Sequence, residues 1–207
     1  MVNNVFSDEG IMNKAFSCPL LLALIPMACG KAPNLEQRIV QMVEAHNQHN
    51  VAQQLAFYAD DATFIMPGDY PIVGKAALRD LFEADSIVNS ELVFKDLVIR
   101  GDTVIVNSIT ERSDWLRAIG IPESHYASKI IFRKELIYTD ELGPNVEEER
   151  RVYEKRWSDV MGWLSIAHPE LVKEAQSGWL ARYDAKATQT WMKLFIEWQS
   201  SKSISKK

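Results

Sequence analysis

The residues of this sequence that could carry out chemistry are isolated polar side chains rather than a compact motif. His46 and His49 lie three positions apart, Tyr58 follows them, and His125 lies far along the chain. A histidine can remove or donate a proton near neutral pH, and a tyrosine hydroxyl can donate to a developing oxyanion. These residue types therefore favour general acid–base chemistry.

Each of these residues also has a purely structural interpretation. His46 falls on the apolar face of a predicted helix, where a backbone carbonyl can satisfy its ring. Tyr58 ends an amphipathic segment, where a tyrosine commonly packs its ring and leaves its hydroxyl wet. His46 and His49 have no evident third partner for a metal ion, so the sequence predicts no metal site and no cofactor.

A second candidate group follows from the alternation of residues along a predicted strand. Arg112 and Asp114 are two positions apart, so they lie on the same face of that strand. They could line a site, but an ordinary ion pair at the end of a strand explains the same two residues. The choice depends on the sheet that carries them.

Three helices are predicted ahead of that sheet. Asn50 and Gln53 form a plausible capping box at the start of the second helix, and the third helix follows Gly74. Between the second and third helices, "ATFIM" is a β-type run that contains Phe64 and ends at a Pro-Gly turn. The apolar stripe of the first helix consists of Leu35, Ile39, Met42, Val43 and His46.

The next segment predicts an antiparallel meander, and the last one predicts helix. Two strands flank a turn at Gly101-Asp102, and "YASKIIFRKELIY" is predicted as one further long strand. In "NVEEERRVYEKRW" both strand and helix fit, and we prefer a strand to about Glu154 followed by a helix. The tail has an apolar stripe at helical spacing that we expect to be buried: Leu180, Tyr183, Ala187, Trp191, Leu194, Phe195 and Trp198.

Two long stretches carry a family resemblance. "HNQHNVAQQLAFYADDATFIMPGDYPIVGKAALRDLFE" resembles the N-terminal half of the nuclear transport factor 2-like superfamily. "AIGIPESHYASKIIFRKELIYTDELGPNVEEERRVYEKRW" resembles the later strands of its SnoaL-like, polyketide cyclase-like branch. The resemblance covers about residues 35 to 164. It implies an α+β fold in which the N-terminal helices pack on the concave face of a cone-shaped, curved antiparallel sheet, here with a C-terminal helical extension.

The same resemblance implies an apolar pocket inside the cone. The expected ligand-binding residues are His46, Tyr58, Phe64, Arg112 and Asp114. Asp114 stands where SnoaL-like cyclases usually carry a histidine. Their catalytic aspartate would lie near Ser128, where this sequence has none, so Asp114, His125 and Tyr58 remain the catalytic candidates.

The charge distribution bears on the expected partners. The chain of 207 residues has 23 Lys and Arg against 28 Asp and Glu, with no basic stripe. A phosphate backbone would meet no concentrated positive field, so nucleic acid is not an expected partner. We expect a small hydrophobic molecule as the ligand and a homodimer formed through the sheet.

The N-terminal segment has the layout of an export leader. An uncharged run follows Lys14, and "MACG" then resembles a bacterial lipobox, which would make Cys29 a lipidation site. Pro26 departs from that pattern because Leu, Val or Ile is usual there. Since Asp8 and Glu9 oppose the positive start that a signal needs, we predict that translation begins at Met12.

These features divide the chain into three predicted regions. Residues 1–34 are a leader with a signal peptide to about residue 28, residues 35–165 are the nuclear transport factor 2-like domain, and residues 166–207 are the C-terminal extension. The predicted location is the bacterial cell envelope, with membrane contact only through the leader or a lipid anchor. The alternative is a cytoplasmic protein whose apolar N-terminal segment packs on its own core.

Two functions remain open at this point. The first is an exported pocket protein that binds a hydrophobic ligand or a partner without catalysis. The second is an isomerase, dehydratase or cyclase that acts on a small apolar carbonyl compound. The missing aspartate and the leader favour the first. A buried carboxylate of raised pKa, in a deep pocket and beside a hydrogen-bond donor, would favour the second.

The leader generates the first testable prediction. In a bacterial host we expect the full-length chain to be cleaved and recovered with the membranes, and we expect Cys29→Ser to release the protein or leave it unprocessed. Cys18→Ser is the matched control, because this cysteine lies inside the apolar run. Fractionation and intact mass spectrometry measure both; a soluble chain that still begins at Met1 contradicts the prediction.

Overall fold

The computed structural model describes residues 34–68 and 71–204. The leader, the start at Met12, Cys18 and Cys29 lie outside the described residues. Within the described part of the chain, no helix is both long and apolar enough to cross a membrane.

Three helices come first, and local sequence explains where they begin. They are α1 (Leu35–Asn47), α2 (Val51–Leu55) and α3 (Lys75–Ile87). The Asn34 side chain accepts a hydrogen bond from the Gln37 amide at the start of α1. At α2 the Asn50 side chain accepts from the Gln53 backbone amide, so Asn50 caps the helix as predicted. The Gln53 side chain accepts from the Asn50 side-chain amide and not from the Asn50 backbone N–H, so the predicted capping box is only half formed.

One six-stranded sheet forms the centre of the fold. Its strands are β1 (Tyr58–Ile65), β2 (Ile72–Val73), β3 (Glu91–Arg100), β4 (Thr103–Arg112), β5 (Ser124–Arg133) and β6 (Leu136–Leu142). Their order is β2-β1-β6-β5-β4-β3. Every pairing is antiparallel except that of β1 with β6, which is parallel. The expected α+β fold with a curved sheet is confirmed, with this one parallel pair added.

The predicted single strand "YASKIIFRKELIY" is wrong, because the chain turns within it. Arg133 pairs with Leu136, so Lys134 and Glu135 form a two-residue hairpin loop. Both loop residues have positive φ angles, 51° and 68°. Such a turn usually has Asn or Gly at these positions, and this loop has neither, so no turn signal is visible in the sequence.

The preference for a strand to Glu154 is also wrong. Helix α5 (Glu147–Ala167) occupies this segment. Glu147, Glu148 and Glu149 fill its first turn, where negative charge is favourable. Arg150 also pairs with Glu147 and Glu154 at helical spacing. The predicted boundary between the domain and the C-terminal extension, at residue 165, falls inside α5, which ends at Ala167. That boundary stays a prediction.

The remaining helices share a second hydrophobic cluster. They are α4 (Asp114–Ala118), which lies between β4 and β5, and the C-terminal α5, α6 (Val172–Ser177) and α7 (Ala185–Ile204), with short 3-10 turns at Pro169–Leu171 and Trp179–Ala181. Trp191, Phe195 and Trp198 of α7 are buried, as predicted. The Trp115 ring of α4 stacks on Trp157 of α5 at 6.1 Å and meets Phe195 edge-on at 4.8 Å.

This aromatic cluster generates a stability prediction. Trp191→Ala should lower the free energy of unfolding by about 3 to 5 kcal/mol, because it leaves a large cavity among packed rings. Ile196→Ala on the same helix removes a side chain that is 64 % exposed, so it should cost little. Urea unfolding measures both. Equal midpoints would show that α7 contributes little to the stability of the domain.

Candidate functional site

A large cavity lies between the inner face of the sheet and the helices. Its volume is about 1070 Å³. Residues of α5 and of the segment that precedes α7 line its outer part, which we call the mouth. Most of its wall is apolar and includes Met42, Phe64, Leu81, Phe82, Leu92, Phe94, Ile109, Trp115, Leu116, Leu142, Trp157 and Trp191. The cavity therefore suits a mainly apolar small molecule.

Glu111 on β4 is the first of three acidic residues in this wall whose pKa values are raised by burial. Its carboxylate accepts hydrogen bonds from the Tyr126 hydroxyl at 3.0 Å and, at a longer 3.4 Å, from the Ser90 hydroxyl. Burial raises the pKa of Glu111, and the two hydroxyl donors hold that rise back. Glu111 thus combines a desolvated carboxylate with two donors that favour its ionised form.

Asp85 on α3 faces the same cavity but lacks such donors. No described residue donates a hydrogen bond to its carboxyl group. Burial first, and then the negative charge of Glu111, raise the pKa of Asp85 well above its ordinary value. Asp85 is therefore the carboxyl group that keeps its proton most strongly.

Asp140 on β6 is the third acid. Its two carboxylate oxygens accept hydrogen bonds from the Ser128 hydroxyl at 2.7 Å and the Tyr58 hydroxyl at 3.1 Å. Burial raises the pKa of Asp140 to about 6, and the two hydroxyl groups oppose that rise. Asp140 thus brings a carboxyl group from β6 beside Ser128, where the sequence has no aspartate on β5.

Tyr58 and Tyr126 donate hydrogen bonds to Asp140 and to Glu111, respectively. Burial, followed by the negative charge of the neighbouring carboxylate, raises the pKa of Tyr58 and of Tyr126 well above 10. Both hydroxyl groups therefore stay protonated at neutral pH. Tyr58 lies on β1, not at the end of a helix, and it is almost fully buried instead of keeping a wet hydroxyl.

His46 lines the cavity as expected, in a neutral form. Burial and the nearby His49 lower the pKa of His46 to about 4, and an interaction with the Ser90 backbone opposes that shift only in part. Its Nδ1 lies 3.1 Å from the Gln54 amide nitrogen, and its Nε2 lies 3.3 Å from the Ser90 hydroxyl. Both ring nitrogens are therefore occupied by protein partners.

The predicted placement of Arg112 and Asp114 in the pocket is wrong. Neither residue lines the cavity. Arg112 is exposed and pairs with Glu123, whereas Asp114 begins α4 and pairs with Arg117. A hydrogen bond from Asn89, and then one from Arg117, hold the pKa of Asp114 below its ordinary value. This carboxyl group has the properties of a surface ion pair.

A bulge in β4 explains the error. Val106 pairs with Ser128 and Ile109 pairs with Tyr126, so two residues of β4 lie opposite the single residue Ala127. The inward positions are Val104 and Val106 before the bulge and Ile109, Glu111 and Ser113 after it. Strict alternation from Val104 selects Arg112 and Asp114, whereas the bulge turns Glu111 inward.

The other candidates also belong to the cavity wall. Tyr58, Phe64 and His125 all line the cavity. His125 lies towards the mouth, where its Nδ1 is 2.7 Å from the Glu149 carboxylate and its backbone N–H donates to the other Glu149 oxygen at 2.8 Å. His125 therefore connects β5 to α5 and takes no part in the hydrogen bonds that hold the three inner acids.

Four inner residues, Asp85, Glu111, Tyr126 and Asp140, were absent from the sequence-based candidates. Glu111 carries no local signal either, because the bulge that turns it inward arises from the pairing of β4 with β5. Asp85 sits on a helix and Asp140 on the unpredicted strand β6, so no short pattern marks them. Across residues 34–68 and 71–204, no group of three or more His, Cys, Asp or Glu side chains could hold a metal ion.

Comparison with known proteins identifies part of the chain. The family model of the SnoaL-like domain matches residues 39–124. Residues 39–124 are a SnoaL-like domain. The match covers α1 to the start of β5, so it includes Asp85 and Glu111 and ends before Asp140. No curated protein matches the chain.

Solved structures with a similar fold are distant in sequence. A nuclear transport factor 2-like protein from Cytophaga hutchinsonii is 10 % identical, with a TM-score of 0.47, over 59 % of this chain and 98 % of its own. SalBIII, an epoxide hydrolase/cyclase-like enzyme of salinomycin formation, is 14 % identical, with a TM-score of 0.48, over 55 % and 91 %. A protein from Sinorhizobium meliloti assigned as a polyketide cyclase is 15 % identical, with a TM-score of 0.45, over 51 % and 93 %.

Asp140 generates a prediction about stability and pH. Its pKa is about 6 in the folded protein against an ordinary 3.8, so between these pH values the folded state binds a proton that the unfolded chain has released. The stability contributed by this group therefore falls as pH rises through that window, by about 3 kcal/mol in all. An asparagine side chain cannot titrate, so the stability of the wild type relative to Asp140→Asn should fall between pH 4 and pH 7.

Urea unfolding at several pH values measures this difference. Asp61→Asn is the matched control. Hydrogen bonding to Arg133 lowers the pKa of Asp61, so its contribution is lost only on acidification below about pH 4. Parallel stability curves for the wild type and Asp140→Asn would show that Asp140 titrates normally.

Proposed function

We propose that this protein is an acid–base catalyst that removes a proton from carbon next to a carbonyl group in a small apolar compound. Isomerisation, dehydration and aldol cyclisation all contain this step. The observation that carries the proposal is the pair of carboxyl groups, Asp85 and Glu111, in one apolar cavity with different hydrogen-bond environments. Such a pair can divide the roles of acid and base.

Glu111 is the base in this proposal. Tyr126 and Ser90 donate to its carboxylate, which favours the ionised form, while the apolar wall leaves it poorly solvated. A desolvated carboxylate is a stronger base than one in water. The proton that leaves the substrate carbon would move to a Glu111 carboxylate oxygen.

Asp85 is the proton donor. Its carboxyl group keeps a proton because burial and the charge of Glu111 both disfavour ionisation. A protonated carboxyl group in an apolar site can donate a hydrogen bond to the oxygen on which negative charge develops during enolisation. Asp140, held by Tyr58 and Ser128, is a second carboxyl group in the same wall.

The non-catalytic pocket protein, favoured by the sequence, is the alternative. The size and apolar lining of the cavity support ligand binding in either case. What favours catalysis is that buried carboxyl groups of raised pKa are costly to keep in a cavity whose only task is to hold an apolar molecule.

The proposed location is the bacterial cell envelope. More specifically, we propose that a lipid on Cys29 anchors the protein to the membrane. The support is the order of Lys14, the uncharged run and the lipobox-like ending. In this setting the substrate or ligand would be a molecule of the envelope or its surroundings.

Exchange of hydrogen for deuterium next to a ketone tests the proposed reaction. The probe is 4-phenylcyclohexanone in D₂O, followed by proton NMR. We expect exchange above the buffer rate, a fall of roughly 10²-fold or more in Glu111→Gln, and a fall in Asp85→Asn. The rate should rise with pH as Glu111 ionises and fall again as Asp85 loses its proton.

Glu141→Gln is the matched control, because Glu141 follows Asp140 on β6 but is exposed and outside the cavity. It should leave the exchange rate unchanged. Full exchange in Glu111→Gln, or wild-type exchange no faster than buffer while the ketone binds, contradicts the enzyme and favours the binding protein.

A further inference from the structure

The Glu111 carboxylate lies at the end of a connected line of buried polar side chains. The line runs from Gln54 to His46 at 3.1 Å, from His46 to Ser90 at 3.3 Å, and from Ser90 to Glu111 at 3.4 Å. Gln54, His46 and Ser90 are each buried and come from three separate parts of the chain. Polar side chains are seldom buried together unless each satisfies the next.

The chemistry of each group fixes the direction of these hydrogen bonds. An ionised carboxylate only accepts, so the single hydroxyl proton of Ser90 points to Glu111. The Ser90 oxygen must then accept from His46, which requires the proton of the imidazole to be on Nε2. The other ring nitrogen, Nδ1, has a free lone pair that accepts from the Gln54 amide.

We propose that His46 is a positioning residue that holds the Ser90 hydroxyl in the orientation that donates to Glu111. This inference rests on the proposed role of Glu111 as the base. His46 itself does not take the substrate proton, since Gln54 occupies the only lone pair of its ring.

The effect on Glu111 follows from the direction of the donors. A hydrogen bond to the ionised form of a carboxyl group lowers its pKa, and the Ser90 hydroxyl has that effect on Glu111. Loss of His46 would free the Ser90 hydroxyl to rotate towards other acceptors, and Glu111 would then lose one of two donors. His46 thus helps to keep the base ionised near neutral pH.

The first experiment reads the tautomer of His46 directly and needs no substitution. Nitrogen-15 NMR of the imidazole ring distinguishes a protonated from an unprotonated nitrogen. We expect His46 to be neutral from pH 5.5 to pH 8, with the proton on Nε2 throughout. A proton on Nδ1, or protonation of the ring within this range, overturns the proposal and leaves the proposed function standing.

The second experiment measures the pKa of the Glu111 carboxyl group by carbon-13 NMR in variants. In Ser90→Ala and His46→Leu it should rise on the order of 0.5 to 1 unit, the equivalent of one lost hydrogen bond. His46→Gln places an amide donor near the Nε2 position, so its shift should be smaller. An unchanged pKa in His46→Leu overturns the proposal.

The matched control is His49→Asn. His49 lies one turn after His46 but outside the cavity, and its positive φ of 54° suits asparagine. It should leave the pKa of Glu111 near the wild-type value.

In the ketone exchange assay, the rise of rate with pH should move to higher pH in His46→Leu and return towards the wild type in His46→Gln. The carboxyl titration tests the positioning role even if no exchange is catalysed, so the two proposals fail separately.

Discussion

The bulge in β4 is the feature on which the candidate site depends. Two β4 residues face Ala127 of β5, and every inward position beyond them moves by one residue. The inward face of β3 moves by one residue in the same way. Leu92 and Phe94 face inward before the Lys95-Asp96 pair, and Leu97 faces inward after it. Asp96 adopts a positive φ of 56° at this point. The bend curves the sheet around the cavity and at the same time turns Glu111 towards Tyr126.

The second constraint is that no described residue places a positive charge at the inner end of the cavity. The arginines in its wall, Arg150 and Arg182, are exposed and belong to the mouth, and His46 is neutral. The three inner acids must therefore be stabilised by hydroxyl donors or keep their protons. Glu111 and Asp140 each have two donors that oppose the rise in pKa caused by burial, whereas Asp85 has none among the described residues.

The sequence predicted the layers of the fold better than the details of the site. Helical periodicity located α1, α3 and the buried aromatic face of α7, because those signals repeat over several turns. The inward face of β4 depends on a bulge that pairing with β5 creates, so no local pattern contains it. The turn of the β5–β6 hairpin consists of Lys134 and Glu135, which are not typical turn residues. Strand β6 was therefore not predicted, and Asp140, which lies on it, was missed. Tyr58 and His46 were found from their residue types and the apolar faces on which they fall, and the family resemblance indicated the pocket.

The C-terminal extension takes part in the electrostatics of the site as well as in packing. Trp115, Trp157 and Trp191 belong to the cluster that joins α4, α5 and α7, and all three also line the cavity. Burial is the largest cause of the raised pKa values of Asp85, Glu111 and Asp140. If these helices were displaced, water would reach the carboxyl groups and their pKa values would return towards ordinary ones. The proposed division of roles, with Glu111 as base and Asp85 as acid, therefore requires that the aromatic cluster remain packed over the cavity.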